Sequence, residues 1–461
     1  MQNILFWFRN DLRLHDNEAF LKACDLGRVI PVYVIDPRQF ERTKFGFRKT
    51  EKFRAQFLLE SLEDLKQNLK KLGSDLIIRI GKPEEELVKI AEAQDVLYVL
   101  ASKEVTQEET SLEFELSNGL KKLNIDIELV WGATLYHVRD LPFQIKFLPD
   151  VFTEFRKKMD AHAKVRPLFS EPKVLNHVSD ITSGVIPSLT DLGFEGEELR
   201  VTEQFFKGGE TAGLERLNEF IWKTENIKAY KETRNGLLGN DFSSKLSAWI
   251  SLGCISPRKI YSEVRAFEKK VIKNESTYWV IFELIWRDYF HLVALKYGIR
   301  LFKRSGIQHD LKKTWNQDKT AFKKWMDGET GIPFVDANMR ELKATGFMSN
   351  RGRQIVASFF TKDLKLEWWW GAIYFESMLI DYDVCSNWGN WNYIAGIGND
   401  PRPNRYFHTM KQADRYDPEA AYVKEWIPES RGQTLDQIKA RYHASEALEG
   451  YPVPMMELPK A

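Results

Sequence analysis

Residues 336–406 of this 461-residue chain set carboxylates, guanidinium groups and amides among aromatic and aliphatic side chains. Asp336, Asn338 and Arg340 come first, then Asn350, Arg351, Arg353 and Gln354, then Asp381, Asp383 and Asn387 beside Trp388 and Trp391. Burying one such group without a partner costs roughly 1–3 kcal/mol or more. A helical core that carries so many is therefore expected to hold something polar. Arg353 with Asp381 or Asp383 could be a structural ion pair. The same pair with the amides of Asn350 and Asn387 equally suits a flat heteroaromatic ring with several donors and acceptors.

A flavin answers that description. Upstream, Tyr230 precedes the run Ser243-Ser244-Lys245-Leu246-Ser247, which leads into an apolar stretch over 248–254. Serines at a helix start can cap free backbone N–H groups, and the same end attracts phosphate through those donors and the helix dipole. Both readings stand at this point.

The elements that must position these groups follow from pattern and composition. Residues 4–8, 29–35, 75–80, 95–100 and 125–130 are short β-rich runs, and between them Leu58, Leu59, Leu62, Leu65, Leu69 and Leu72 line one helical face. That alternation predicts an α/β domain of Rossmann-like type with a parallel sheet over 1–131. No GxGxxG follows the first strand, so the usual dinucleotide fingerprint is absent. Over 132–201 prolines recur among Ser, Thr and Gly, which reads as an interdomain connector with some helix. Strand signals then fade, predicting an all-α domain over 202–428 and a short tail over 429–461.

Composition excludes several classes. No apolar run approaches the roughly 18 residues of a membrane span, and the first residues show no cleavage pattern of a signal peptide. Three cysteines, Cys24, Cys254 and Cys385, make neither a disulfide framework nor a zinc site. A cytoplasmic protein without a metal, and a monomer, is the expectation. The formal net charge of +1 is silent about nucleic acid, since a local basic face can still bind it.

Longer motifs go further. Phe8-Arg9-Asn10-Asp11-Leu12-Arg13-Leu14-His15-Asp16-Asn17, Gly208-Gly209-Glu210-Thr211, the serine run, Trp286-Arg287-Asp288-Tyr289-Phe290 and Asp400-Pro401-Arg402-Pro403-Asn404-Arg405-Tyr406 occur in order. With these the chain resembles the cryptochrome/photolyase family, most closely its DASH branch, over nearly its whole length to about Trp426. The resemblance implies an all-helical domain holding FAD, with Tyr230, Ser243, Ser244, Lys245, Leu246 and Ser247 around the phosphates and ribityl chain. Asn350, Arg353, Asp381, Asp383 and Asn387 would surround the isoalloxazine, with Arg353 paired to Asp381 and Asn387 facing the flavin N5. An Asn there matches the repair-type members and favours a working reduced flavin. Trp391, Trp368 and Trp315 match the family's electron relay from flavin to surface.

On the substrate side, Glu283 lies in the apolar run 279–286, where burial should raise its pKa and let it hydrogen-bond a thymine carbonyl. A Glu paired with Arg287 or another base is the structural alternative. Trp286 would stack on a flipped pyrimidine dimer. Tyr393 stands where conventional photolyases have a second stacking Trp, and Gln354 where they have Met. A smaller stacking surface returns less energy for extracting a dimer from a duplex, which implies a preference for single-stranded or looped DNA. The (6-4) photolyases of the family place histidines at the positions of Asn350 and Gln354, and neither is a His here, so the resemblance argues against that reaction. Arg351, Arg402, Arg405 and Lys411 are candidates for phosphate contacts, with solvated charge or salt bridging as the alternative.

The resemblance also implies a second cofactor: DASH relatives often carry a 5,10-methenyltetrahydrofolate antenna with a Glu in a Lys-Glu-Val segment, and Lys103-Glu104-Val105 matches it, which makes Glu104 the candidate antenna residue. A surface Glu at a helix start is the alternative. The function expected is light-dependent repair of cyclobutane pyrimidine dimers by electron transfer from excited FADH−. A blue-light receptor using the same FAD is the other reading. The long C-terminal extension common in signalling cryptochromes is not seen here, which favours repair.

Overall fold

The computed structural model describes residues 2–175, 181–196, 205–402, 405–442 and 449–459. Pro403 and Asn404 of the last motif lie outside them. Two compact units form, Met1–Lys228 with Ser244–Gly298, and Ala229–Ser243 with Ile299–Ala461.

The first unit contains the sheet. β1 (Asn3–Trp7), β2 (Arg28–Ile35), β3 (Ile77–Ile80), β4 (Val96–Ser102) and β5 (Asp126–Val130) pair in the order β3-β2-β1-β4-β5, all parallel. In register, Leu5 lies between Ile30 and Val99, and Phe6 between Pro31 and Leu100. Alternate residues of β1 point to opposite faces, and both faces are covered. Leu5 and Trp7 join Leu87, Ile90, Leu116 and Leu120 of the helices Pro83–Ala93 and Gln107–Lys121. On the other face Phe6 packs edge-on against Phe8 and Phe20, the latter on the helix Glu18–Leu26. The leucine stripe expected at 58–72 is realised as the buried seam Leu59, Leu62, Leu65 and Leu69 of the helix Lys52–Lys71. Strand order reverses between β1 and β4, and a crevice at the carboxyl ends of strands is where open α/β sheets place ligands.

Polar anchors tie distant segments of this unit together. Glu210 accepts hydrogen bonds from Leu14 N at 2.9 Å and His15 N at 3.0 Å, Asp16 pairs with Arg258 at 2.9 Å, and Arg13 Nη1 donates to Gly253 O at 2.8 Å. Asp288, on the helix Glu275–Tyr297, accepts from Leu135 N and Tyr136 N at 2.9 Å each, and burial pushes its carboxyl up to about 7. A Cβ on Gly208 would meet Phe57 O at 2.3 Å, so only glycine lets that backbone approach the helix Lys52–Lys71.

The second unit is helical, and among the described residues no strand follows β5. Its helices include Lys319–Asp327, Pro333–Thr345, Asn350–Ser358, Trp368–Met378, Val384–Ala395 and Thr409–Tyr416. Trp325, Phe360, Phe375 and Trp391 form the aromatic centre that sets their spacing. No helix is long and apolar enough to cross a membrane, among the described residues.

Candidate cofactor site and arginine groove

One cavity of the second unit gathers most of the chemistry foreseen for residues 336–406. Its wall contains Asn350, Arg353, Gln354, Asp381, Asp383, Asn387 and Trp391. Ser349 caps the helix Asn350–Ser358 by accepting from Gly352 N at 3.0 Å, which sets Asn350 at the first turn and Arg353 and Gln354 one turn on. Asp383 caps the next wall, accepting from Ser386 N at 2.7 Å at the start of the helix Val384–Ala395. Asp383 thus has a structural role besides lining the cavity, which its place among flavin contacts did not anticipate.

Arg353 Nη2 lies 2.8 Å from Asp381 Oδ2, and Arg353 Nε donates to Met348 O at 2.9 Å. Asn387 Nδ2 donates to Ala372 O at 3.0 Å, which fixes the amide against the helix Trp368–Met378. Two acceptors, Asp381 Oδ1 and Gln354 Oε1, are buried with no hydrogen-bond partner. A native structure rarely leaves such groups unmet, so this wall is prepared for a ligand with donors.

The three relay candidates all lie in this unit. Trp391 is buried among Trp325, Phe360 and Phe375, all in edge contacts with ring centroids 5.2–6.3 Å apart. Trp368 is fully buried and donates from Nε1 to Arg304 O at 3.1 Å. Trp315 is half-buried, with Lys313 Nζ 5.3 Å from its ring centroid. Asn316 N donates to Lys365 O at 2.7 Å and Glu367 N to Asn316 O at 2.9 Å, a short bridge that pins the Trp315 segment just ahead of Trp368.

Beside the cavity runs a groove of about 780 Å³ lined by Arg351, Arg402, Arg405 and Arg415 with Tyr406, Phe407 and Tyr416. Arg351 Nη2 donates to Asn235 Oδ1 at 3.1 Å and its guanidinium lies 4.7 Å from the Tyr416 ring centroid; burial lowers its pKa. Arg405 pairs with Asp400 and donates to Tyr393 OH at 2.7 Å, which holds the half-buried Tyr393 ring under a guanidinium. Arg402 and Lys411 are exposed. Arg415 was missed in sequence, where nothing distinguishes it from any other surface arginine.

The remaining candidates are described unit by unit. Tyr230 is buried and begins the short helix Tyr230–Thr233, and Ser243 is half-buried, both in the second unit. Ser244, Lys245, Leu246 and Ser247 belong to the first. Of the two readings of the serines, capping is not realised at the helix Ser247–Ser251, which has Leu246 at its cap position with no side-chain bond. Ser244 is instead held through its carbonyl by Arg216 Nε at 3.0 Å. Lys245 is buried with φ +58°, a left-handed backbone that costs a non-glycine residue roughly 1–2 kcal/mol. Strain of that kind collects at ligand clamps.

Also in the first unit, Glu283 is half-buried rather than enclosed, and accepts from Trp279 Nε1 at 3.2 Å. Trp286 stacks on Phe152 with ring centroids 3.5 Å apart and planes 9° apart. Arg287 Nη1 donates to Ala133 O. Glu104 is not a surface residue: it is 7% exposed, just beyond the end of β4, the strand at which the order reverses, and accepts from Asn10 Nδ2 at 3.2 Å. Burial pushes its carboxyl up to about 7, against the opposing effect of Arg9. Arg9 is itself taken by Glu113 at 2.5 Å.

A parallel 3-2-1-4-5 sheet followed by a helical unit with this cavity defines a photolyase-type flavoprotein, and comparison with known proteins agrees. Residues 4–173 match the DNA photolyase family and residues 279–461 the FAD binding domain of DNA photolyase. A cryptochrome DASH of Gloeobacter violaceus is 51% identical over 435 residues, 94% of this chain and 86% of the relative. The crystal structure of Synechocystis sp. PCC6803 cryptochrome superposes with a TM-score of 0.94 at 45% identity, covering 98% of this chain and 96% of that one. The archaeal photolyase of Sulfolobus tokodaii, solved with two FAD molecules, gives 0.81 at 28% identity over 99% and 97%. The chain belongs to the cryptochrome DASH family.

Proposed function

We propose that this protein splits cyclobutane pyrimidine dimers in single-stranded or looped DNA under blue light. One observation carries the reading: the helix Asn350–Ser358 borders both compartments, giving Asn350, Arg353 and Gln354 to the cavity and Arg351 to the arginine groove. A flavin site and a phosphate-binding surface therefore share one rigid element. The residues present fit an isoalloxazine: the unpartnered Asp381 Oδ1 and Gln354 Oε1 would accept from its N–H groups, and the Arg353 guanidinium would donate to its carbonyls.

When bound, the flavin supplies a photoexcitable electron that passes to the dimer and returns after the ring opens, so the net redox change is zero. The chain does the rest. Arg353, held by Asp381, orients the cofactor, and Asn387, a neutral amide fixed by Ala372 O, tolerates its reduced form. Glu283 offers a hydrogen bond to a thymine carbonyl of the dimer, and Trp286 and Tyr393 offer stacking area. Arg351, Arg402 and Arg405 hold phosphates. Trp391, Trp368 and Trp315 carry electrons inward to regenerate the reduced cofactor. Glu104, a buried acid just beyond the end of β4, would hold a methenyltetrahydrofolate antenna by hydrogen bonding from its protonated form.

The test incubates prereduced protein with dimer-containing single strands in blue light and in darkness. Dimers should disappear only in the light. Equal dimer content in both samples would reject repair and leave the photoreceptor reading.

A further inference from the structure

Gly371 has no conformational reason to be glycine. It sits inside the helix Trp368–Met378 with ordinary helical backbone, where glycine costs about 1 kcal/mol relative to alanine. The reason lies across the interface. A Cβ at this position would fall 2.2 Å from Trp391 Cη2, 2.7 Å from Cζ3 and 2.8 Å from Cζ2. The benzo edge of the indole lies directly on the bare backbone.

Aromatic side chains confine much of the rest of the ring, which also borders the cavity. Trp325, Phe360 and Phe375 meet it edge-on, and Phe375 comes from the same helix, one turn beyond Gly371. Trp368 lies one turn before Gly371, on the same side of that helix. The glycine notch thus brings Trp391 into contact with the helix that begins with Trp368, and the bridge of Asn316 to Lys365 and Glu367 fastens Trp315 to the start of the same helix.

We propose that Gly371 is a positioning residue for electron transfer, the notch that seats Trp391 against the Trp368 helix and so sets the first gap of the relay. The inference rests on the relay reading given under the proposed function. In the cycle, photoreduction withdraws one electron from Trp391, Trp368 refills it, Trp315 refills Trp368, and an external thiol refills Trp315. The thiol is oxidised by one electron and releases its proton to buffer. The net transfer is one electron from thiol to cofactor.

The test compares Gly371→Ala, Trp391→Leu and the double variant in two measurements on the full flavin-loaded chain. The first is the rate of thiol-dependent photoreduction in blue light. Gly371→Ala should slow it severalfold, because displacing the indole lengthens the gap across which the electron moves, with flavin content kept. Trp391→Leu should abolish the fast phase. The second is thermal unfolding in the dark. Gly371→Ala should lower Tm in the parent but raise it in the Trp391→Leu background, where the methyl fits and helix propensity improves.

If Trp391→Leu photoreduces at the parental rate, the relay reading fails. If it is slow while Gly371→Ala is as fast as the parent, the notch alone is overturned. An equal Tm loss in both backgrounds would likewise show that glycine serves the backbone and not the ring.

Discussion

Replacing Glu104 by Gln tests whether the buried acid at the sheet's reversal point is neutral in the fold. The carboxyl ionises at 4.5 in the unfolded chain and at about 7 in the fold, chiefly because burial removes it from water. Between those values the folded state holds a proton that the unfolded state has lost. Stability therefore falls as pH rises from 4.5 to 7 and levels off above. Ionisation costs the fold about 0.8 kcal/mol at pH 5 and about 3 kcal/mol at pH 8. Gln keeps the shape and the acceptor for Asn10 Nδ2 but has no proton to lose. Relative to the parent, Glu104→Gln should gain about 2–3 kcal/mol between pH 5 and pH 8, read from urea unfolding of the full chain at both values. A parent-to-variant difference that does not move with pH would refute the reasoning. A difference of opposite sign would mean that Glu104 is an anion held by Arg9.

The other predictions concern the cavity and the proposed DNA contacts. Asp381→Asn leaves Arg353 without its counter-charge, and loss of a charged hydrogen bond worth about 1.5–3 kcal/mol should weaken flavin retention roughly 10–100-fold, measured by the absorbance left after gel filtration. Glu283→Ala should lower light-driven repair yield well below its effect on flavin content; an equal loss of both would assign it a structural role. Arg402 is exposed, so Arg402→Ala should reduce the slope of log affinity against log salt for a dimer-containing single strand by about 0.7, the release expected per neutralised phosphate. An unchanged slope would remove that residue from the phosphate contacts.

Local pattern was enough for the sheet. All five strands were legible because a parallel sheet buried on both faces needs β-rich runs at the right spacing, and residues 4–8, 29–35 and 125–130 have little other reading. The polar residues of 336–406 were legible as groups that demand partners in an aromatic helical region, and Asn350, Arg353, Gln354, Asp381, Asp383 and Asn387 do line one cavity, whereas Asp336, Asn338 and Arg340 do not. What pattern could not supply was the division of labour among them. Asp381 and Asp383 are two residues apart, yet one meets Arg353 and the other caps a helix. That difference is made by where the chain turns between them. Likewise the serine run suggested a capped helix start, but the turn placed Leu246 at the cap and strained Lys245.

The longest motifs illustrate a deeper reason for the gap. Glu210, Asp16 and Asp288 stand in the motifs that carry the family resemblance, and each is spent on backbone or ion-pair anchors to residues more than 150 positions away. A buried carboxylate that accepts two backbone N–H groups cannot be told in sequence from one that meets a ligand, since both are polar residues at apolar positions. The distinction is whether an acceptor is left over. Asp288 uses both oxygens, on Leu135 N and Tyr136 N, whereas Asp381 uses Oδ2 and leaves Oδ1 without a partner in the cavity wall. The unspent oxygen, visible only once the chain is folded and set in a cavity wall, is what makes Asp381 a candidate ligand contact and Asp288 an anchor.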